Sequence, residues 1–210
     1  MLLVAIALAL PGSAAHAGLP FVPTAAEQRR LDHGEAVVRM GPAQRGGLRE
    51  GMAVAVLDSP PARLHRALVD LDHYNEWVPF LSRTLVRRVA DSSAEQEQWL
   101  HLRAPLADRH YRLRADWWIE GGGADARWRL RWRHVPGSGN LRDHRGEWTL
   151  VGLAEGRTLA ACRLYVDPGG HWPAWLTNRI VARALPWLLD GLRQQAHRWR
   201  YDPRAPAGAE

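Results

Sequence analysis

Ten histidines, one cysteine and a serine in a Gly-Ser-Gly turn are the side chains of this chain that could do chemistry. A metal site needs several ligands at short, repeated spacing, and a nucleophile needs a base beside it. His101, His110, His134 and His144 are spread over a run of strands, and no two histidines form an HxxxH or HExxH pair. They read as surface or hydrogen-bonding residues, so no metal is expected. Ser138 lacks the strand–elbow–helix setting of an activated serine. Cys162 stands alone in a strand pattern, which excludes an intrachain disulfide and makes it a small core residue. These patterns call for no catalytic residue and no cofactor.

The other reactive groups are cations. The chain has 210 residues and a formal net charge of +6, and every one of its 28 basic residues other than histidine is arginine. Guanidinium binds phosphate and carboxylate in bidentate fashion, so an anionic membrane surface is a candidate transient partner. No nucleic-acid motif accompanies the arginines, so no nucleic acid is expected. Apolar residues make up 46% of the chain and charged residues 24%, which excludes a disordered polyelectrolyte. The 11 tryptophans against 2 phenylalanines supply large, rigid apolar area suited to pocket walls.

Two strands show where these residues must point. In Arg127–Val135, period two puts Trp128, Leu130 and Trp132 on one face and Arg127, Arg129, Arg131 and Arg133 on the other. In Arg109–Glu120, Tyr111, Leu113, Ala115 and Trp117 share a face, opposite Arg112, Arg114 and Asp116. Arg112, Arg114, Arg129 and Arg131 form a candidate membrane-facing basic patch, and its alternative is a solvated sheet face. Asp116 is a candidate partner for an arginine of that face.

Further strands are expected at Glu35–Met40, Gly51–Asp58, Leu85–Ala90, Glu95–Ala104, His144–Leu153 and Thr158–Val166. Gly41–Gly47 reads as loop, and Pro136–Gly139 as the stop of its strand. Short Gly-rich turns between consecutive strands imply an antiparallel meander. Thr24 and Glu27 form a capping box for a short helix through Leu31. Ser59 reads as the cap of a second helix, with Pro60 and Pro61 in its first turn and its end near Asp72. A long helix is expected from about Trp172 to Trp199, with a kink at Pro186. A twisted sheet gripping that helix leaves a cavity between them, a container for an apolar molecule.

The N-terminus reads as a leader. Leu2–Leu10 is an apolar run too short to span a bilayer, and Ala15-His16-Ala17 has the small-x-small form of a signal-peptidase site. Export with cleavage near Ala17 is expected, placing the mature protein in the periplasm. The division is then a signal peptide at 1–17, a linker with a short helix at 18–33, one domain at 34–202 and a disordered tail at 203–210.

Three segments resemble the START-like, polyketide cyclase/dehydrase and lipid-transport superfamily. The first is Ser59-Pro60-Pro61-Ala62 leading to Asp70-Leu71-Asp72-His73-Tyr74 and Trp77-Val78-Pro79-Phe80. The second is Asp108-Arg109-His110-Tyr111. The third is Gly146-Glu147-Trp148, then Tyr165–Gly170 and Pro173–Asn178. The resemblance spans roughly residues 35–199 and implies an α+β helix-grip fold, a curved antiparallel sheet around a long C-terminal helix with a hydrophobic cavity between them. It implies a ligand among sterols, phospholipids, quinones and polyketides, and it carries over no catalytic residue. The expected wall is Tyr111, Leu113, Trp117, Trp128, Leu130, Trp132 and Trp148 from the sheet, with Ile180, Ala184, Trp187 and Leu188 from the helix. Trp99 is also assigned inward. Arg103 and His134 are candidate polar anchors at the mouth, and the loop His73–Phe80 or the Pro186 kink are candidate gates. A carrier of a hydrophobic molecule leads; a cyclase-type enzyme with one polar wall residue as acid or base, or a ligand-free adaptor, remain the alternatives.

Overall fold

Alternating apolar and polar residues can be buried on one side only if the strands form a single sheet with one covered face. The computed structural model, which describes residues 21–102, 106–198 and 201, has that form. Its elements are α1 (Ala25–Asp32), β1 (Val37–Ala43), β2 (Arg49–Leu57), α2 (Pro61–Val69), β3 (Leu81–Ala90), β4 (Ser93–Leu100), β5 (Arg109–Glu120), β6 (Arg127–Gly139), β7 (Asp143–Gly152), β8 (Thr158–Asp167) and α3 (Ala174–Ala196). The expected leader at 1–17, Arg103 and the tail at 203–210 lie outside the described residues.

The eight strands run β1-β2-β8-β7-β6-β5-β4-β3, every pair antiparallel. Strands β3 to β8 form the expected meander, and β2 closes onto β8. Along α3, Thr177, Val181, Ala184, Leu185, Leu188, Leu189 and Leu192 are buried at three- and four-residue spacing against the inner sheet face. Each fully buried leucine contributes about 1.5–3 kcal/mol. Pro186 lies inside this helix, which continues through it.

Several expectations change. Ser59 is not a helix cap: the cap position is Pro60, and Ser59 Oγ is buried without a partner. The Ser59 carbonyl is used instead, accepting from Thr158 Oγ1 at 2.6 Å. The second helix ends at Val69, and a 3-10 turn at Leu71–Glu76 follows. β1 runs on to Ala43, into the expected loop. β3 begins at Leu81 rather than Leu85, and β4 ends at Leu100 rather than Ala104.

Pro136–Gly139 does not stop β6 either; the pairing shifts there and the strand continues to Gly139. Gly139 sits at φ 115°, and a Cβ on it would collide with the His110 carbonyl. Ser138 secures the bulge, donating to the Val135 carbonyl at 2.5 Å and accepting from the Arg112 N–H at 3.0 Å. The serine of the Gly-Ser-Gly turn is therefore engaged in backbone geometry.

The short helix expected through Leu31 forms and packs against the sheet. The Thr24–Glu27 capping box forms as expected. Glu27 accepts from Arg39 at 2.6 Å, and that bond pulls its carboxyl down to about 2. Leu31 of α1 packs with Val37, Val54, Leu159 and Ala161 into a second small core, on the opposite face of β1, β2 and β8 from α3.

Candidate functional site: an apolar cavity under the C-terminal helix

The inner face is covered twice. α2 packs over β6 and β7, and α3 over β2 and β8. Between α3, the Tyr74–Phe80 segment and the inner faces of β4 to β8 lies a cavity of about 160 Å3. Void of this size in an apolar lining holds one ring-sized group. A longer molecule requires the walls to part.

The structure places eight of the eleven expected wall residues on the cavity: Tyr111, Leu113, Leu130, Trp132, Trp148, Ile180, Ala184 and Leu188. Three lie off it. Trp117 and Trp128 have the expected inward parity but are covered at the α2 end, where the His65 ring meets Trp128 at 4.8 Å and the Arg88 guanidinium lies 5.4 Å from the Trp117 ring. Trp187 is 51% exposed on the outer side of α3, touching Phe80 at 6.0 Å between ring centroids. Trp99 faces outward, stacked on His110 at 4.7 Å, because the inner positions of β4 are Gln96, Gln98 and Leu100. Parity locates a face, but which lid covers which part of it depends on the helices.

Gly146 decides how Trp132 sits. It is the cross-strand partner of Trp132, and a Cβ there would collide with the indole. The missing side chain is the space the ring occupies.

Polar groups on the wall are few and incompletely bonded. Gln96 and Gln98 are buried and bond each other at 2.8 Å. His144 is packed edge-on by Tyr111 at 5.3 Å and Trp132 at 6.1 Å. Burial, helped by nearby His134, pushes its imidazole down to about 3, so it is neutral over the physiological range. Burial pushes the Tyr111 phenol and the Cys162 thiol up, out of the reactive range. Trp77 Nε1, Arg109 Nε, Trp132 Nε1, His144 Nδ1 and Thr177 Oγ1 are all buried without a hydrogen-bond partner, and all five residues line the cavity.

Of the expected anchors, His134 does not line the cavity; its Nε2 lies 3.4 Å from Ser138 Oγ, in the β6 bulge. Arg103 lies outside the described residues. The buried cation of the wall is Arg109, which is not among the expected wall residues or anchors. Its signal was parity: it shares the face of Tyr111 and Leu113.

The outer face carries the arginines, largely neutralised. Glu147 accepts from Arg129 at 2.5 Å and from Arg131 at 2.9 Å. Asp116 meets Arg114 at 3.4 Å and Arg133 at 3.6 Å, as its expected pairing required. Arg112 stands opposite Glu97 in register. The hydrogen bond from Arg87, with the charges of Arg112 and Arg114 behind it, holds the Glu95 carboxyl below the usual carboxylate range. Among the described residues, no group of three or more potential metal ligands is assembled. No helix among them is long and apolar enough to cross a membrane.

Residues 57–193 match the family model described as polyketide cyclase/dehydrase and lipid transport. No curated protein matches the sequence. Among solved structures, a STAR-related lipid transfer protein fragment from Xanthomonas axonopodis is similar, with TM-score 0.69 and 20% identity over 78% of this chain and 94% of that one. The lipid transfer and protein localization domain of human StarD13 has TM-score 0.63 and 14% identity, covering 77% and 84%. The Zhui aromatase/cyclase from Streptomyces sp. R1128 has TM-score 0.57 and 13% identity, covering 70% and 93%. At these identities the likeness is one of fold.

Proposed function

Because the chain belongs to the polyketide cyclase/dehydrase and lipid-transport family, with its START-like helix-grip fold, we propose that it binds and carries a hydrophobic ligand of the lipid, sterol or quinone class. The observation that carries this reading is the apolar cavity between sheet and α3. Each methylene buried there contributes about 0.8 kcal/mol. A cyclase reading needs an acid or base whose pKa lies near the working pH. His144, at about 3, and Tyr111, pushed up by burial, are both far from it.

Loading proceeds at the edge of the cavity where Phe80 is 41% exposed yet still lines the wall. Phe80 sits at φ 66°, an uncommon conformation for a bulky residue, in the segment expected to gate. Beside it, the outer side of α3 presents Trp175, Arg179, Arg183 and Trp187 at four-residue spacing. Trp175 is 65% exposed and Trp187 51%, and no ion pair holds Arg179 or Arg183 among the described residues. Tryptophan favours the membrane interface and arginine the anionic headgroup, so this stripe fits an anionic bilayer better than the neutralised sheet face does. Carriage outside the cytoplasm is part of the proposal, supported by the Leu2–Leu10 run and Ala15-His16-Ala17.

Native mass spectrometry of the purified protein, with organic extraction of what it retains, tests the reading. A stoichiometric lipid, sterol or quinone is expected. An empty protein that takes up nothing from liposomes overturns it. Co-sedimentation with phosphatidylglycerol vesicles tests the stripe: Arg179→Gln with Arg183→Gln should release the protein, and unchanged binding would refute that docking face.

A further inference from the structure

The five unpartnered polar atoms of the cavity are uneven in kind. Three belong to groups that only donate: Arg109 Nε, Trp132 Nε1 and Trp77 Nε1. Arg109 is 9% exposed, Trp132 8% and Thr177 4%. Arg109 also carries a charge. One terminal nitrogen donates to the carbonyls of Ala107 at 2.9 Å and Asp108 at 3.2 Å, and the guanidinium lies 4.9 Å from the Trp172 ring. No ion pair is made by Arg109, and no aspartate or glutamate lines the cavity, among the described residues. Asp167, which lines a hollow with Trp172, is occupied, meeting Arg142 at 3.4 Å and accepting from the Gly169 N–H at 2.9 Å.

The outer face is arranged differently. There, Arg114, Arg129, Arg131 and Arg133 are half-exposed or exposed, and all have carboxylates. Water would screen them even unpaired. Among the described residues Arg109 is the one buried arginine, and it has no counter-charge. Burying an unpaired cation costs several kcal/mol unless something else supplies the anion. Backbone carbonyls satisfy hydrogens but bring no net charge. A neutral acceptor on the ligand would have the same shortcoming.

We infer that the cavity's ligand is an amphiphile bearing an anionic oxygen group, a carboxylate or a phosphate, held by Arg109 with Thr177 at the α3 end while its apolar part lies against Tyr111, Trp132 and Leu188. Trp172 backs the guanidinium and also lines a second, polar hollow with Arg45, Arg142 and Asp167. Thr177 stands in the first turn of α3, the end that carries the helix's partial positive charge. The inference rests on the carrier reading and narrows its ligand class.

The test is a matched series with one apolar chain: laurate, dodecyl phosphate and dodecanol, titrated below their aggregation limits and followed by tryptophan fluorescence. The expected result is that at least one of the two anions binds about tenfold tighter than the alcohol, the increment of one charge-assisted contact. Arg109→Gln should erase that preference, bringing the anion's affinity to within about twofold of the alcohol's. Thr177→Val should weaken the anion several-fold. Whichever of laurate and dodecyl phosphate is preferred assigns the carboxylate or the phosphate. Equal binding of all three by the wild-type protein overturns the inference and leaves the carrier reading standing. So does a preference that survives in Arg109→Gln. Failure of all three to bind overturns the carrier reading as well. The wild-type series decides the matter even where Arg109→Gln does not fold.

Discussion

The two faces of one sheet treat polar groups in opposite ways. On the outer face, charged side chains find one another: Glu147 serves Arg129 and Arg131, Asp116 serves Arg114 and Arg133, and the Arg131 guanidinium also lies 5.2 Å from the Trp118 ring. On the inner face, polar groups are rare, buried and short of partners. Water makes the first arrangement inexpensive, since an exposed ion pair changes stability by about 0–1 kcal/mol. The second is costly, so it points to a missing participant. Under the proposed carrier reading, the sparse, unsatisfied face is the one that receives the ligand.

The comparison breaks most readily from the inside. Ala184→Trp should fill the cavity, because Ala184 lies on its wall and is 8% exposed. Ligand uptake should fall about tenfold or more, while overpacking costs about 1–3 kcal/mol of stability. Uptake measured in a folded variant, checked by near-UV circular dichroism, would contradict the cavity assignment if it stayed at the wild-type level.

The acid response should also come from the inner face. His144 has a folded pKa of about 3, below the unfolded value of about 6.5. Below about pH 6.5 the unfolded chain therefore takes the proton first, and stability is lost as pH falls through that window, by up to about 1.4 kcal/mol per unit. His65, brought down to about 4 by burial beside Trp128, acts with the same sign over a shorter window. His144→Phe should flatten the fall of Tm with pH between about 6 and 4. An unaltered slope would place the acid sensitivity elsewhere, with the outer carboxylates the next suspects.

On the outer face the largest single effect should come from Glu147→Gln, which leaves two arginines without their shared carboxylate. With that side chain 18% exposed, a loss of about 1–2 kcal/mol is expected, or roughly 2–8 °C in Tm. Ligand affinity should not change. A loss of affinity would mean that the two faces are coupled through β7. The smallest effect should be Arg133→Ala, within about 0.5 kcal/mol by denaturant melts, because its contact with Asp116 is long and its side chain 65% exposed.

Much of this architecture is written in local pattern. The strict alternation of β5 located both ends of that strand and the faces of every residue in it. The capping box at Thr24 and the apolar stripe of α3 were legible for the same reason: neighbours three or four residues apart meet whatever the rest of the chain does. Where a distant contact decides, local reading went astray. Ser59 looked like a cap, but its carbonyl is held by Thr158, ninety-nine residues away. Pro136–Gly139 looked like a stop, but pairing with β5 carries the strand through a bulge. Trp99 lies on a strand whose inner side is marked by glutamines, so hydrophobicity gave the wrong parity.

By itself the sequence determined that the main strands and helices exist, the antiparallel order of the meander and the faces of β5 and of β6 up to its bulge, because backbone periodicity is a property of adjacent residues. Tertiary structure decided which part of the inner face lies open. α2 and α3 cover different stretches of it, so Trp128 became packing while Trp132, four residues on, became cavity wall. Parity set Arg109 apart from Arg112 and Arg114 of β5, but its burial depends on what arrives from the far end of the chain, where Trp172 meets its guanidinium.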